Sequence, residues 1–295
     1  MKRILIIGGS SFIAGQFIRN YQSEDSITCY SRRPTGYDKE IVVKAFWDMP
    51  VESFVGFDAV INFAAIVHRP EEKNQELYDE VNYRMACVLA QKARQAGVRQ
   101  FIQMSTIAVF GTATTPEMPK TYYGSSKLKA DKELLAMSSH EFKTVIIRPP
   151  MAYGGGMAPG NMMRLIRLVN RHIPLPFGSA RNSRDFINVK NLIEFIHLTV
   201  EKEAEGVFYP TDKEPYSTRN VIEVISKQLG VHTINLPSPS LFLKMVEKVR
   251  PELYQKLWGD VVIDRQLALN SIGYEPRYTL EEGIREMVES FKQRK

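Results

Sequence analysis

Two cysteines in 295 residues cannot build a disulfide framework. Cys29 falls in an expected strand and Cys87 in an expected helix, neither at metal-ligand spacing, so the chain reads as cytoplasmic. No run of 18 apolar residues occurs, which excludes a membrane-spanning helix as an expectation. The opening Met-Lys-Arg-Ile-Leu-Ile-Ile imitates a signal peptide, but its apolar run is too short and ends in a glycine turn instead of a cleavage site. The five histidines, His68, His140, His172, His197 and His232, form no pair at helical spacing, and no bound metal is expected. Low-complexity tracts and internal repeats are lacking. A strong excess of one charge is lacking too. The 39 basic residues are interleaved with 33 acids, and a net charge of +6 spread in this way does not suit a nucleic-acid partner. The densest basic stretch, Arg164, Arg167, Arg171, Arg181, Arg184 and Lys190, suits a phosphorylated small substrate or a solvated surface.

What is present is an ordinary globular composition, with 44% hydrophobic and 24% charged residues. Short, continuously apolar, β-branched runs at 4–7, 27–30, 41–43, 59–63, 101–104 and 144–147 alternate with helical periodicity at 11–22, 71–97 and 123–138. This alternation predicts an α/β chain with a Rossmann-type, doubly wound parallel sheet. After Arg148-Pro149-Pro150 the character changes: Gly154-Gly155-Gly156, Pro159-Gly160, Pro174 and Pro176 punctuate a region of helices and brief strand signals such as 207–209. The expected division is a dinucleotide-binding domain over 1–150 and a smaller, mainly substrate-binding lobe over 151–295, some segments of which return to the large domain. Residues 241–257 are amphipathic. A helix packed on the small lobe is the reading adopted, with a membrane-surface or partner-binding helix as the alternative.

Three motifs carry chemistry. Gly8-Gly9-Ser10-Ser11-Phe12-Ile13-Ala14-Gly15 follows a strand and opens a helix, where a glycine turn and free helix amides suit a pyrophosphate. Ser11 and Ala14 stand where the usual pattern has its second and third glycines. The second strand ends Tyr30-Ser31-Arg32-Arg33 without the acid that binds ribose hydroxyls in NAD-preferring folds; the arginines suit a 2′-phosphate, so NADP(H) is expected, with NAD as the alternative. Tyr123 and Lys127 stand four residues apart, on one helix face, where an ammonium can lower a phenol toward a useful pKa.

These residues resemble the extended short-chain dehydrogenase/reductase family and its nucleotide-sugar epimerases, dehydratases and ketoreductases. Further matching pieces are Asp58 to Ala65, Asn82, Ser105 to Gly111, Arg148-Pro149, Tyr153-Gly154, Arg184 to Val189, Asp264 with Leu267-Ala268-Leu269, and Gly273 to Pro276. The resemblance implies that Tyr123 transfers the proton, that Lys127 holds the nicotinamide ribose and tunes the phenol, and that Thr106 bonds the reacting oxygen. It implies a cofactor set of Gly8, Ser10, Ser11, Phe12, Ile13, Ser31, Arg32, Arg33, Asp48, Met49, Phe63, Ala64, Ala65, Tyr123, Lys127 and Pro149. Asn161 and Arg184, with Thr106, would meet the nucleotide-sugar substrate, and the helices at 71–97 and 123–138 would form a homodimer interface. The family's 4,6-dehydratases carry an Asp-Glu pair after the threonine; Ile107-Ala108 here cannot supply that acid and base. The expected function is an NADP(H)-dependent reduction of the 4-keto group of a UDP-type sugar in polysaccharide precursor synthesis. The alternative is a UDP-sugar 4-epimerase retaining NAD, and a third reading is a non-catalytic NADP-binding sensor.

Overall fold

The computed structural model describes residues 1–67, 72, 74–111, 117–156, 158, 160–264 and 272–294, with only the backbone of residues 252 and 256. His68, Pro159 and the Leu267-Ala268-Leu269 match lie outside the described residues.

Seven parallel strands form one sheet in the order β3-β2-β1-β4-β5-β6-β9. They are β1 (Arg3–Ile7), β2 (Ser26–Ser31), β3 (Glu40–Val42), β4 (Ala59–Asn62), β5 (Gln100–Met104), β6 (Lys143–Ile147) and β9 (Gly206–Phe208). Ile4 to Ile7 are fully buried, as are Val60, Ile61, Phe101, Ile102 and Val145 to Ile147. Helices on both faces of a parallel sheet leave no solvated side, which is why these strands read as unbroken apolar runs. β3 departs from the expectation of burial on both faces. It is the sheet edge, and Ile41 and Val42 are 43% and 49% exposed. The crossovers are α1 (Phe12–Tyr21), then α2 (Gln75–Tyr78) continuing through a π-helical turn (Asp79–Arg84) into α3 (Met85–Gln95), then α4 (Tyr122–Ala136). α3 buries Leu89, Ala90 and Ala93, and α4 buries Ala130 and Leu134, in the same core as Leu5, Ile7, Val60 and Phe101.

The chain divides into two compact units. The first comprises Met1–Pro149 and Ile193–Pro210 with a short stretch ending at Tyr274. Its strand order turns back between β1 and β4, the switch point at which open α/β sheets leave a crevice beyond the strand ends.

The second unit comprises Pro150–Leu192, Thr211–Asp264 and Glu275–Lys295. It holds a two-stranded parallel ribbon of β7 (Met151–Tyr153) and β8 (Phe186–Asn188), and the helices α5 (Asn161–Val169), α7 (Thr218–Leu229), α8 (Ser240–Val249), α9 (Pro251–Leu257) and α10 (Leu280–Lys292). α6 (Val189–Glu201) begins here and continues into the first unit. Capping boxes start α7 at Ser217/Asn220 and α10 at Thr279/Glu282, each satisfying amides that a helix start leaves open. A buried polar knot ties the ribbon down: Tyr153 Oη donates to Asp212 (2.6 Å), whose other oxygen accepts from Asn188 N (2.9 Å) and Asn191 Nδ2 (2.7 Å). Burial pushes the Asp212 carboxyl up to about 6, against the pull of those donors. Among the described residues no helix is long and apolar enough to cross a membrane.

Candidate active site

At the end of β1 the backbone turns at Gly8, φ +90°, and the Gly8 and Gly9 amides both donate to Tyr30 O (2.9 and 3.1 Å). A Cβ on Gly8 would lie 2.7 Å from Ala64 N, so only glycine lets the β1 turn and the β4 loop approach this closely. Ser10 is exposed, whereas Ser11, Phe12 and Ile13 are partly buried at the start of α1, whose first amides have no side-chain cap. Ala14, in the place of the third glycine, is fully buried. The Gly8 turn therefore forms despite both departures from the glycine pattern.

The loop after β4 is held by two asparagines. Asn62 Oδ1 accepts from Ala64 N (3.0 Å), and Asn82 Oδ1 accepts from Ile66 N (2.8 Å) while its Nδ2 donates to Ile66 O and Ser126 Oγ. Phe63 and Ala64 are buried, and Ala65 is half-buried beside them. Asn82 thus couples this loop to α4, one residue before Lys127.

At the end of β2 the structure supplies an acid that the linear sequence hides. Glu40, at the start of β3, accepts from Ser31 Oγ (2.6 Å) and from the Thr35 and Gly36 amides. Burial opposes its ionisation, but these hydrogen bonds outweigh it and hold the carboxyl at about 2. Ser31 is fully buried and its hydroxyl is engaged within this loop. Arg32 lies over the Phe46 ring (5.9 Å), while Arg33 and Asp48 are exposed. Met49 is buried, and its carbonyl, with that of Trp47, accepts from Lys92 Nζ (2.7 Å each).

The tyrosine stands on the first turn of α4, capped by Thr121 Oγ1 accepting from Gly124 N (3.0 Å). Gly124 is required by packing, because a Cβ there would lie 2.2 Å from Ala108 O. The glycine after Tyr123 lets the helix start rest on the Ile107–Val109 turn, which brings the phenol within hydrogen-bonding reach of Thr106. Thr106 Oγ1 also accepts from Ala108 N (3.1 Å), and Ile107 N donates to the carbonyl of buried Pro149 (3.3 Å). Burial pushes the Tyr123 phenol up to about 12, with the Thr106 hydrogen bond opposing it. Lys127 is 2% exposed and donates to Met104 O (2.7 Å); burial pulls its ammonium down to about 8, against Asp131. Burial is the largest influence on the phenol and disfavours its ionised form.

Behind the lysine lies a group that motif reading passed over. Asp131, fully buried, accepts from Ser105 Oγ (2.7 Å) and from Arg148 Nε (2.8 Å). Arg148 in turn donates to Glu117 (2.5 Å) and Tyr209 Oη (2.9 Å). Asp131 Oδ1 has no partner among the described residues, and burial pushes the carboxyl up against the pull of Arg148. Its signal was available, since 123, 127 and 131 repeat at four residues on one helix face.

Two of the three substrate candidates, Asn161 and Arg184, belong to the second unit. Asn161 is the exposed first residue of α5. Arg184 Nη1 donates to Gln255 O (2.9 Å) and Gly259 O (2.8 Å), which orient its half-buried guanidinium; burial lowers its pKa.

The model of the NAD dependent epimerase/dehydratase family matches residues 4–209. The chain is 29% identical to the UDP-glucose 4-epimerase of Vibrio cholerae, across 99% of this chain and 96% of that protein. It is 23% identical to the N-acetyl-alpha-D-glucosaminyl-diphospho-ditrans,octacis-undecaprenol 4-epimerase of Escherichia coli O157:H7, across 95% and 92%. The structure of MoeE5 in complex with UDP-glucuronic acid and NAD superposes with a TM-score of 0.79 at 21% identity, covering 99% of each chain.

Proposed function

The chain belongs to the NAD dependent epimerase/dehydratase family of enzymes, and within it we propose that this protein is a UDP-sugar 4-epimerase that retains NAD. The observation that carries this reading over NADP-dependent reduction is Glu40. An ionised carboxylate bonded to Ser31 at the end of β2 would accept hydrogen bonds from ribose hydroxyls and repel a 2′-phosphate. The 4-epimerase relatives and the NAD in the MoeE5 structure support the same choice.

The cradle fits a dinucleotide: the Gly8 turn leaves the space a Cβ would fill, and α1 starts directly after it, beyond the end of β1 beside the β1/β4 switch point. When bound, a nicotinamide dinucleotide supplies a hydride acceptor that returns its hydride. As the phenolate, Tyr123 Oη would take the proton of the sugar 4-hydroxyl as hydride leaves C4, and would return it to the same oxygen when hydride comes back to the other face of the turned keto sugar. Thr106 holds the same oxygen, and the Lys127 ammonium, one helical turn away, favours the phenolate during proton removal. Arg184, its fork oriented by two carbonyls, and Asn161 receive the diphosphate. Dehydration lacks its machinery, because Ile107 and Ala108 follow Thr106. A second reading changes only the carrier: the E. coli relative acts on a lipid-borne diphospho-sugar, and the same site would take that diphosphate.

The test is conversion of UDP-glucose or UDP-N-acetylglucosamine to its galacto epimer by protein as purified, with no net change in reduced-nicotinamide absorbance. Stoichiometric oxidation of NADPH by a UDP-4-keto-6-deoxy sugar, with no epimer formed, would establish the reductase instead.

A further inference from the structure

α8 and α9 lie in the second unit and are absorbed by neither the cradle nor the tyrosine site. α8 buries none of its residues. Leu241, Met245 and Val249, at i, i+4 and i+8, are 79%, 56% and 67% exposed, and Leu253 on α9 is 47% exposed. The fold itself is anchored elsewhere: Trp258 packs on Phe177 (5.1 Å), Tyr254 (6.2 Å) and Phe242 (6.5 Å), so the outward stripe is not an unfinished core contact. Beside the stripe stand Lys244, Lys248 and Arg250, all exposed, against the single acid Glu247 among the described side chains of 240–250. An aliphatic ridge flanked by cations is the pattern of helices that lie in a lipid interface, apolar side down and ammonium groups at the phosphates.

We propose that α8 and α9 dock this protein on the surface of an anionic phospholipid bilayer, with Leu241, Met245, Val249 and Leu253 entering the acyl boundary and Lys244, Lys248 and Arg250 meeting the headgroups. Charge selects this occupant over a second copy of the chain. Two copies apposed through this ridge would bring like-charged rims together on proteins of net charge +6, whereas an anionic surface neutralises them. The proposal stands on the surface alone and does not need the epimerase reading.

The experiment is co-sedimentation of the whole protein with vesicles of phosphatidylcholine alone and of phosphatidylcholine with phosphatidylglycerol. Binding is expected to the anionic vesicles, at least about tenfold stronger than to the neutral ones, and to weaken as salt shortens the screening length from about 10 Å at 0.1 M to about 3 Å at 1 M. Leu241→Glu with Met245→Glu should reduce it at least about tenfold while turnover and thermal unfolding stay unchanged. Should that variant fail to fold, Lys244→Glu with Lys248→Glu decides by the same measure. Absent anionic-vesicle binding, or binding that neither variant alters, overturns the proposal. So does a Leu241→Glu, Met245→Glu variant that turns an oligomer into a monomer, which would give the ridge to a second copy, or saturable competition of vesicles by an acidic protein, which would give it to that partner. Vesicle results leave the epimerase assay untouched, so the two readings fail separately.

Discussion

Burial disfavours the phenolate of Tyr123, so the charge on Lys127 matters most when the phenol must give its proton up. With Lys127 at about 8, turnover should fall as pH rises through about 8 and the ammonium is lost. Asp131 raises the pKa of Lys127, so Asp131→Asn should move that alkaline fall to lower pH; pH profiles of the two proteins check the shift. The same change breaks a buried ion pair with Arg148 and should cost about 3 kcal/mol or more in urea unfolding. Tyr123→Phe removes only the transferable proton. It should lower turnover on the order of 10³-fold with dinucleotide affinity unchanged, the first read by epimer formation and the second by calorimetry. Retention of activity within about tenfold would remove Tyr123 from the acid/base role.

At the scale of elements, the active geometry depends on where helices begin. Gly124→Ala would set a methyl 2.2 Å from Ala108 O and force the start of α4 off the Ile107–Val109 turn. The expected cost is about 2 kcal/mol in stability, with turnover falling more than dinucleotide affinity because the Thr106 contact is lost first. The β7-β8 ribbon depends instead on Asp212. Its folded pKa of about 6 lies above the usual 3.8, so its stabilising contribution is complete below about pH 4 and is lost as pH rises through about 6. Asn at this position keeps an acceptor for Asn188 N and Asn191 Nδ2 but cannot titrate. The stability difference between parent and Asp212→Asn should therefore shrink, by roughly 3 kcal/mol for a shift of this size, between pH 4 and 6.5. Denaturant titrations at a series of pH values measure it.

At the scale of the whole molecule, cofactor choice is a global stability effect. NAD at 100 times its dissociation constant should stabilise the protein by about 2.7 kcal/mol, and on the proposed NAD reading the same concentration of NADP should stabilise it by less. Equal thermal shifts would return the choice to Arg32 and Arg33. Side-chain periodicities of two and 3.6 are local properties, so the apolar runs determined the strands, the helices between them and the parallel α/β class. The Gly8 turn and the Tyr123/Lys127 face were legible for the same reason, each lying within one element and its approach. The contact of Glu40 with the end of β2 was not legible. Glu40 reaches Ser31 only because β3 pairs beside β2, and no spacing rule marks it. Likewise Asp131 meets Arg148 because α4 packs over β6. Burial, which no local pattern measures, pushes the phenol up and the lysine down.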